Sequence, residues 1–158
     1  MMPWRDELEL IARLLREQTT LTLATTSEDG AACATPLFYL VDEELSLSWL
    51  SAESSQHSQN LKRNPAAAAA VYGSAASWRE IRGVQMRGAV SIVSEPERRR
   101  ALVKAYCERF KLGLLFRPAI RRSALYLFQP EFFHYIDNSR GMGAKFELTR
   151  PPAGWNCI

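Results

Sequence analysis

Ser51, Ser54, Ser55, Gln56 and His57 stand close together in SAESSQHSQNLKRNP, residues 51–65, and each of their side chains can donate a hydrogen bond. The segment ends in Asn64-Pro65 and separates two strand-like runs, so residues 54–64 read as a short polar helix. Ser54 and Ser55 are good N-cap residues, and the first-turn N–H groups of a helix lack backbone partners. Unpaired N–H groups and the positive end of the helix dipole converge at such a start, which suits an anion. With Gln56 and His57 as further donors, the chemistry on offer is capture of a phosphate monoester at a sheet edge. His57 has a plainer reading too, as a polar residue in the first turn.

The elements that must position this cluster follow from periodicity. Residues 7–18 place Leu8, Ile11, Leu14 and Leu15 at helical spacing opposite charges, predicting an amphipathic helix. Strands are predicted at residues 19–26, 31–41, 45–50, 66–72 and 78–93, then at 123–128, 132–136 and 144–148. Turns at 27–30 and 42–44 join the early ones. The alanine-rich run 66–72 has helical composition, but Pro65 and its surroundings favour a buried strand. Gly83 and Gly88 inside a long strand mark bulges, corners or close approach. Ser94-Glu95-Pro96-Glu97 reads as a capping box opening a helix to about residue 110, with Leu102, Val103, Tyr106 and Phe110 on its buried face. Residues 112–122 form a linker or short helix around Pro118. Many hairpin-connected strands with few helices make an α+β, mainly β protein: an antiparallel barrel with flanking helices. Residues 1–150 form one domain, and 151–158 read as a loose tail.

Composition narrows the function. A charged, amphipathic N-terminus is no signal peptide, and no apolar run is long enough to span a bilayer, so a cytoplasmic location is expected. Cys33, Cys107 and Cys157 are odd in number and without a CxxC pair, which argues against disulfides and a zinc site; Cys33 and Cys107 read as small buried hydrophobes. The net charge of +3 is too small to point to nucleic acid. Arg98-Arg99-Arg100 and Arg121-Arg122 suit an anionic surface or, more simply, solvated element ends. Two histidines assemble no Ser-His-Asp or Cys-His nucleophile, and no GxGxxG is present.

Leu23-Ala24-Thr25, Asp29-Gly30, Ala34-Thr35-Pro36, Ser55-Gln56-His57, Asn60-Leu61 and Asn64-Pro65 occur in an order and spacing that resemble one family. It is the FMN-binding split β-barrel superfamily typified by pyridoxamine 5′-phosphate oxidase, and the likeness covers about residues 8–136. The strand Ile81-Arg82-Gly83-Val84-Gln85-Met86-Arg87-Gly88 and the loop Asp137-Asn138-Ser139-Arg140-Gly141-Met142-Gly143 are similar to a small bacterial branch carrying IRGVQ and DNxxGxG motifs.

The resemblance implies a homodimer with FMN in clefts between subunits. It implies that Thr35, Pro36, Leu37 and Phe38 line the isoalloxazine, and that Leu50, Ser51, Ser55, Gln56 and His57 approach the ribityl phosphate. Arg82 lies on a strand that contributes to the same cofactor in relatives. Two departures matter. The enzyme has Ser-Arg-Lys where this chain has Ser55-Gln56-His57, which exchanges permanent cations for an amide and an imidazole. The chain also lacks the enzyme's Arg-Leu-x-Pro ending. The expectation is therefore a flavin-dependent oxidoreductase on a small molecule, other than pyridoxamine phosphate oxidase, with no catalytic side chain assigned. The alternative is a non-catalytic flavin or haem carrier on the same barrel; a third reading is a bare dimeric interaction module.

Overall fold

The computed structural model describes residues 4–155. Helix α1 (Trp4–Glu17) buries Ile11, Leu14 and Leu15 of the stripe its spacing predicts, with Ala12 beside them, while Leu8 is half-buried. The strands are β1 (Thr20–Thr26), β2 (Ala32–Phe38), β3 (Leu40–Val41), β4 (Leu47–Ala52), β5 (Ala66–Tyr72), β6 (Arg82–Ile92), β7 (Ser123–Asp137) and β8 (Lys145–Thr149). Helix α2 (Gln56–Arg63) lies between β4 and β5, while α3 (Pro96–Arg109) and α4 (Arg117–Arg122) separate β6 from β7. Every strand pair is antiparallel, in the order β2-β1-β5-β6-β7-β4-β3, with β8 added on β7.

That order curls the sheet. β2 and β3 are its two ends, yet Tyr39 alone separates them in the chain. The expected single strand over 31–41 is therefore two, because the chain leaves one edge of the barrel and joins the other. Tyr39 is buried at the crossing and donates its hydroxyl to the Leu15 carbonyl of α1 at 2.6 Å. Inside, alternate residues such as Leu21, Leu23, Ala69, Val71, Val84 and Met86 meet Trp49, Phe128, Phe133 and Tyr135 in one core. The alanine run forms strand β5, since pairing with both β1 and β6 outweighs alanine's helical preference.

Residues 123–128 and 132–136, expected as two strands, form the single strand β7. β4 pairs with its first part and β8 with its second, while β6 runs along its other edge. Pro130, which lacks an N–H, sits opposite Gly88 where the β6–β7 register shifts. Residues 78–80, expected as strand, form a 3-10 turn, because Glu80 accepts from the Ala76 N–H and the Ser77 hydroxyl and Asn138 donates to the Trp78 carbonyl. The N-cap of α3 is Glu95 rather than Ser94: its carboxylate accepts from the N–H groups of Glu97 (2.8 Å) and Arg98 (2.6 Å).

The segment after β8 does not trail loosely as far as Trp155. The Trp155 N–H donates to Glu44, and its indole is buried between Trp4 and Phe133. Cys33 and Cys107 are free thiols, half-buried rather than buried; Cys157 lies outside the described residues.

Candidate functional site

β4 ends on the barrel rim, and a turn carries the chain into α2. Ser55 takes the N-cap position in extended conformation, but its side chain makes no cap hydrogen bond. Ser54 is exposed, outside the helix. The Ser55 hydroxyl instead donates to Ser58 Oγ at 2.8 Å and lies 3.2 Å from His57 Nε2. His57 Nε2 is 2.7 Å from Ser51 Oγ, and the Ser51 and Ser55 hydroxyls are 3.3 Å apart. Local spacing thus gathers two hydroxyls and one imidazole nitrogen at the start of a helix whose last turn holds Lys62 and Arg63, as the dipole favours.

α2 is fixed to the barrel by its buried face of His57, Ser58, Asn60 and Leu61. Asn60 is fully buried, donates to Thr25 Oγ1 in β1 at 3.0 Å and accepts from Gln56 Nε2 at 2.9 Å. Gln56, expected at the phosphate, is thereby turned along the helix towards Asn60. Arg63 reaches Glu28 and Asn60, so the nearby guanidinium is committed elsewhere.

Burial holds the His57 imidazole below the ordinary histidine value of 6.5, so the site offers neutral donors near pH 7. Protonation then favours the unfolded chain. Stability is full above 6.5 and is lost as pH falls through the folded value. We expect the urea midpoint to drop between about pH 7.5 and about pH 5.5, with part of that drop absent in His57→Gln. Identical pH slopes in the two proteins would show that another group is responsible.

The remaining expected residues fall into two places. Thr35 and Leu37 are half-buried on β2, Pro36 is exposed there, and Phe38 stacks on Phe110 of α3 at 4.6 Å. Phe110 in turn meets Tyr106 edge-on at 4.7 Å, and the Tyr106 hydroxyl faces the backbone of Leu50, next to Ser51. Burial pushes that phenol up to about 12. α3 therefore ties the β2 residues to the end of β4 that leads into the Ser51–His57 cluster. Sequence reading put Tyr106 and Phe110 on a buried helix face but missed this bridge; four-residue spacing of two aromatics was the available signal.

Arg82 is elsewhere. Ser51 pairs with Ala124 at the start of β7, whereas Arg82 pairs with Asp137 at its end. Its guanidinium is held by Glu17 at 2.6 Å. One chain does not bring Arg82 to Ser51. In the 137–143 loop, Asp137 and Asn138 serve the turn: they accept from the N–H groups of Ser139 and Gly143. A groove of about 540 Å³ runs over the outer sheet face, lined by Ala68, Ala70, Gln85, Arg87, Phe132 and His134 among others. The Ser51–His57 cluster does not line it.

The family model described as pyridoxamine 5′-phosphate oxidase matches residues 8–136. A UPF0306 protein of Yersinia pestis is 30% identical over 148 residues, 92% of this chain and 95% of that protein. Among solved structures, the heme storage protein HutZ from Vibrio cholerae shares 20% identity at a TM-score of 0.66, covering 82% of this chain and 92% of that one. An F420 reductase shares 26% identity at a TM-score of 0.63, covering 77% and 93%. HutZ, at that identity, shows a shared fold alone.

Proposed function

Because this chain belongs to the pyridoxamine 5′-phosphate oxidase family, we propose that it binds FMN and acts as a flavin-dependent oxidoreductase on a small molecule. The observation that carries this reading is the cluster of Ser51 Oγ, Ser55 Oγ and His57 Nε2 at the start of α2, all within 2.7–3.3 Å of one another. Neither hydroxyl is spent on a backbone cap; Ser51 can turn its O–H to a phosphate monoester, and Ser55 can do so by leaving Ser58. Neutral donors form weaker contacts to phosphate than guanidinium or ammonium, which fits a modest FMN affinity. Thr35, Pro36, Leu37 and Phe38 would flank the ring, with Leu50 beneath Tyr106. Gln56 contributes to the phosphate only by leaving Asn60.

Bound flavin supplies hydride acceptance; the chain supplies position and exclusion of water. A homodimer completes the site in this reading. Arg82 lies at the far end of β7 from Ser51, so only a second copy can place it at the same cofactor. The enzyme would act in the cytoplasm, on a substrate other than pyridoxamine phosphate; among the described residues no helix is long and apolar enough to cross a membrane.

A fluorescence titration with FMN and riboflavin in parallel tests this. We expect saturable FMN binding, weaker riboflavin binding, and a roughly tenfold loss of FMN affinity in Ser51→Ala with riboflavin unchanged, the size expected for one hydrogen bond to a charged group. Equal affinity for the two flavins, or haem taken up in place of FMN, overturns the phosphate assignment. A second reading, a non-catalytic flavin or haem carrier, is favoured by the neutral donor set. Reduction of bound flavin by a nicotinamide donor separates the two readings.

A further inference from the structure

We propose that residues 111–122 form a docking tip for an anionic lipid bilayer, which would make this a peripheral membrane protein. Leu114, Leu115 and Phe116 follow one another in a 3-10 turn with 72%, 88% and 47% of their surface exposed. Lys111, Arg117, Arg121 and Arg122 flank them, all exposed, and no carboxylate occurs in the chain between Glu108 and Glu131.

The tip is displayed by ordered structure. Lys111 takes a left-handed conformation (φ 53°) just past α3, and the Leu112 N–H donates to the Cys107 carbonyl at 2.9 Å. Leu112 then packs against the core, so the next apolar residues are directed outward. Behind the tip, α4 is fastened at its end: the Ser123 hydroxyl donates to the Ala119 carbonyl at 2.9 Å, and Arg99 donates to the Ser123 carbonyl at 2.8 Å. The Arg99 contact places one guanidinium of α3 at the end of α4, next to Arg121 and Arg122 in the chain, whereas Arg98 is turned to Asp42.

Three consecutive apolar side chains inside a cationic rim match a bilayer surface, where the chains enter the acyl boundary and the cations meet lipid phosphates. A protein partner fits less well. Stable interfaces need roughly 800 Å² per side with a core poor in charge, more than a three-residue tip provides. Nucleic acid fits less well too, since stacking on bases needs aromatic side chains and two of the three here are leucine.

Co-sedimentation of the purified full chain with vesicles tests the proposal. One set contains phosphatidylcholine alone, the other phosphatidylcholine with about a third phosphatidylglycerol, each at low and high salt. We expect binding to the anionic vesicles only, weakened by salt. Leu115→Asp and the pair Arg121→Glu/Arg122→Glu should each reduce it about tenfold or more, the pair because each basic residue near an anionic surface contributes severalfold. Leu115 is exposed at the tip, so Leu115→Asp should leave melting temperature and FMN affinity unchanged, and its result stands or falls independently of the flavin reading. Arg121 and Arg122 precede Ser123, which pairs with Ala52 beside Ser51, so the arginine pair is read by vesicle binding alone. No anionic-vesicle binding by the folded wild type overturns the proposal. So does binding that Leu115→Asp leaves intact, or binding to duplex DNA without binding to vesicles.

Discussion

Gly88→Ala is expected to lower the unfolding free energy by about 3 kcal/mol, the upper part of the range for overpacking a closed site. A Cβ at this position would run into the Gln129 carbonyl and the Pro130 Cα, both backbone. Side chains can rotate away from such a clash, but these strands are held on both sides. β6 pairs with β5 through Ala67↔Gly88, and the register shift on the β7 side brings Pro130 directly opposite. Relief would require moving β7 at the point where it passes from its contact with β4 to its contact with β8. Gly113→Ala is the internal control: nothing lies within 4 Å of its added Cβ, and its φ of −80° suits any residue. That variant should stay within about 0.5 kcal/mol of wild type. Urea unfolding followed by the fluorescence of the buried Trp49 and Trp155 reads both. A wild-type midpoint for Gly88→Ala would mean that the two strands have room the geometry denies them.

Asn60→Ala is expected to cost about 2–3 kcal/mol and to weaken FMN binding about tenfold, although Asn60 belongs to no phosphate contact. The residue is fully buried and joins three partners: it donates to Thr25 Oγ1 and accepts from Gln56 Nε2 and Arg63 Nη2. Truncation leaves the Thr25 hydroxyl without this donor in a buried place and releases α2 from β1. The helix start that gathers Ser55 and His57 beside Ser51 then loses its anchor, so the hydroxyls are no longer held in position. Thr25→Val removes only the other end of the bond and should cost about 1 kcal/mol. In the double variant the two losses should fall short of additive, because both remove one contact. Full additivity, or an unchanged FMN affinity in Asn60→Ala, would separate the anchor from the cradle.

Much of the candidate site was readable from the chain because it is local. Ser51, Ser55 and His57 are near neighbours in sequence, and a strand end followed by a short helix is enough to bring their polar atoms within hydrogen-bond reach. The finer details were not readable. The Ser55 hydroxyl turns to Ser58 and His57 instead of the backbone, and the Gln56 amide turns to Asn60, because several partners of similar strength compete within one helical turn. Glu95 displaced Ser94 as the cap of α3 for a related reason: an ionised carboxylate accepts from two N–H groups at once.

By itself the sequence determined the antiparallel mainly-β class, the family and the closeness of Ser51, Ser55 and His57 at a helix start. All of these rest on period-two alternation or on residues a few positions apart. Only the tertiary structure decided that the chain changes barrel edge at Tyr39, that β7 runs unbroken past Pro130, and that Arg82 answers to Glu17 in α1. It also decided that Phe38 rests on Phe110 and that Arg99 of α3 reaches the Ser123 carbonyl at the end of α4. These are contacts between distant segments. Each is selected by which curled sheet buries the most apolar surface with its backbone groups paired, and no local spacing encodes that choice.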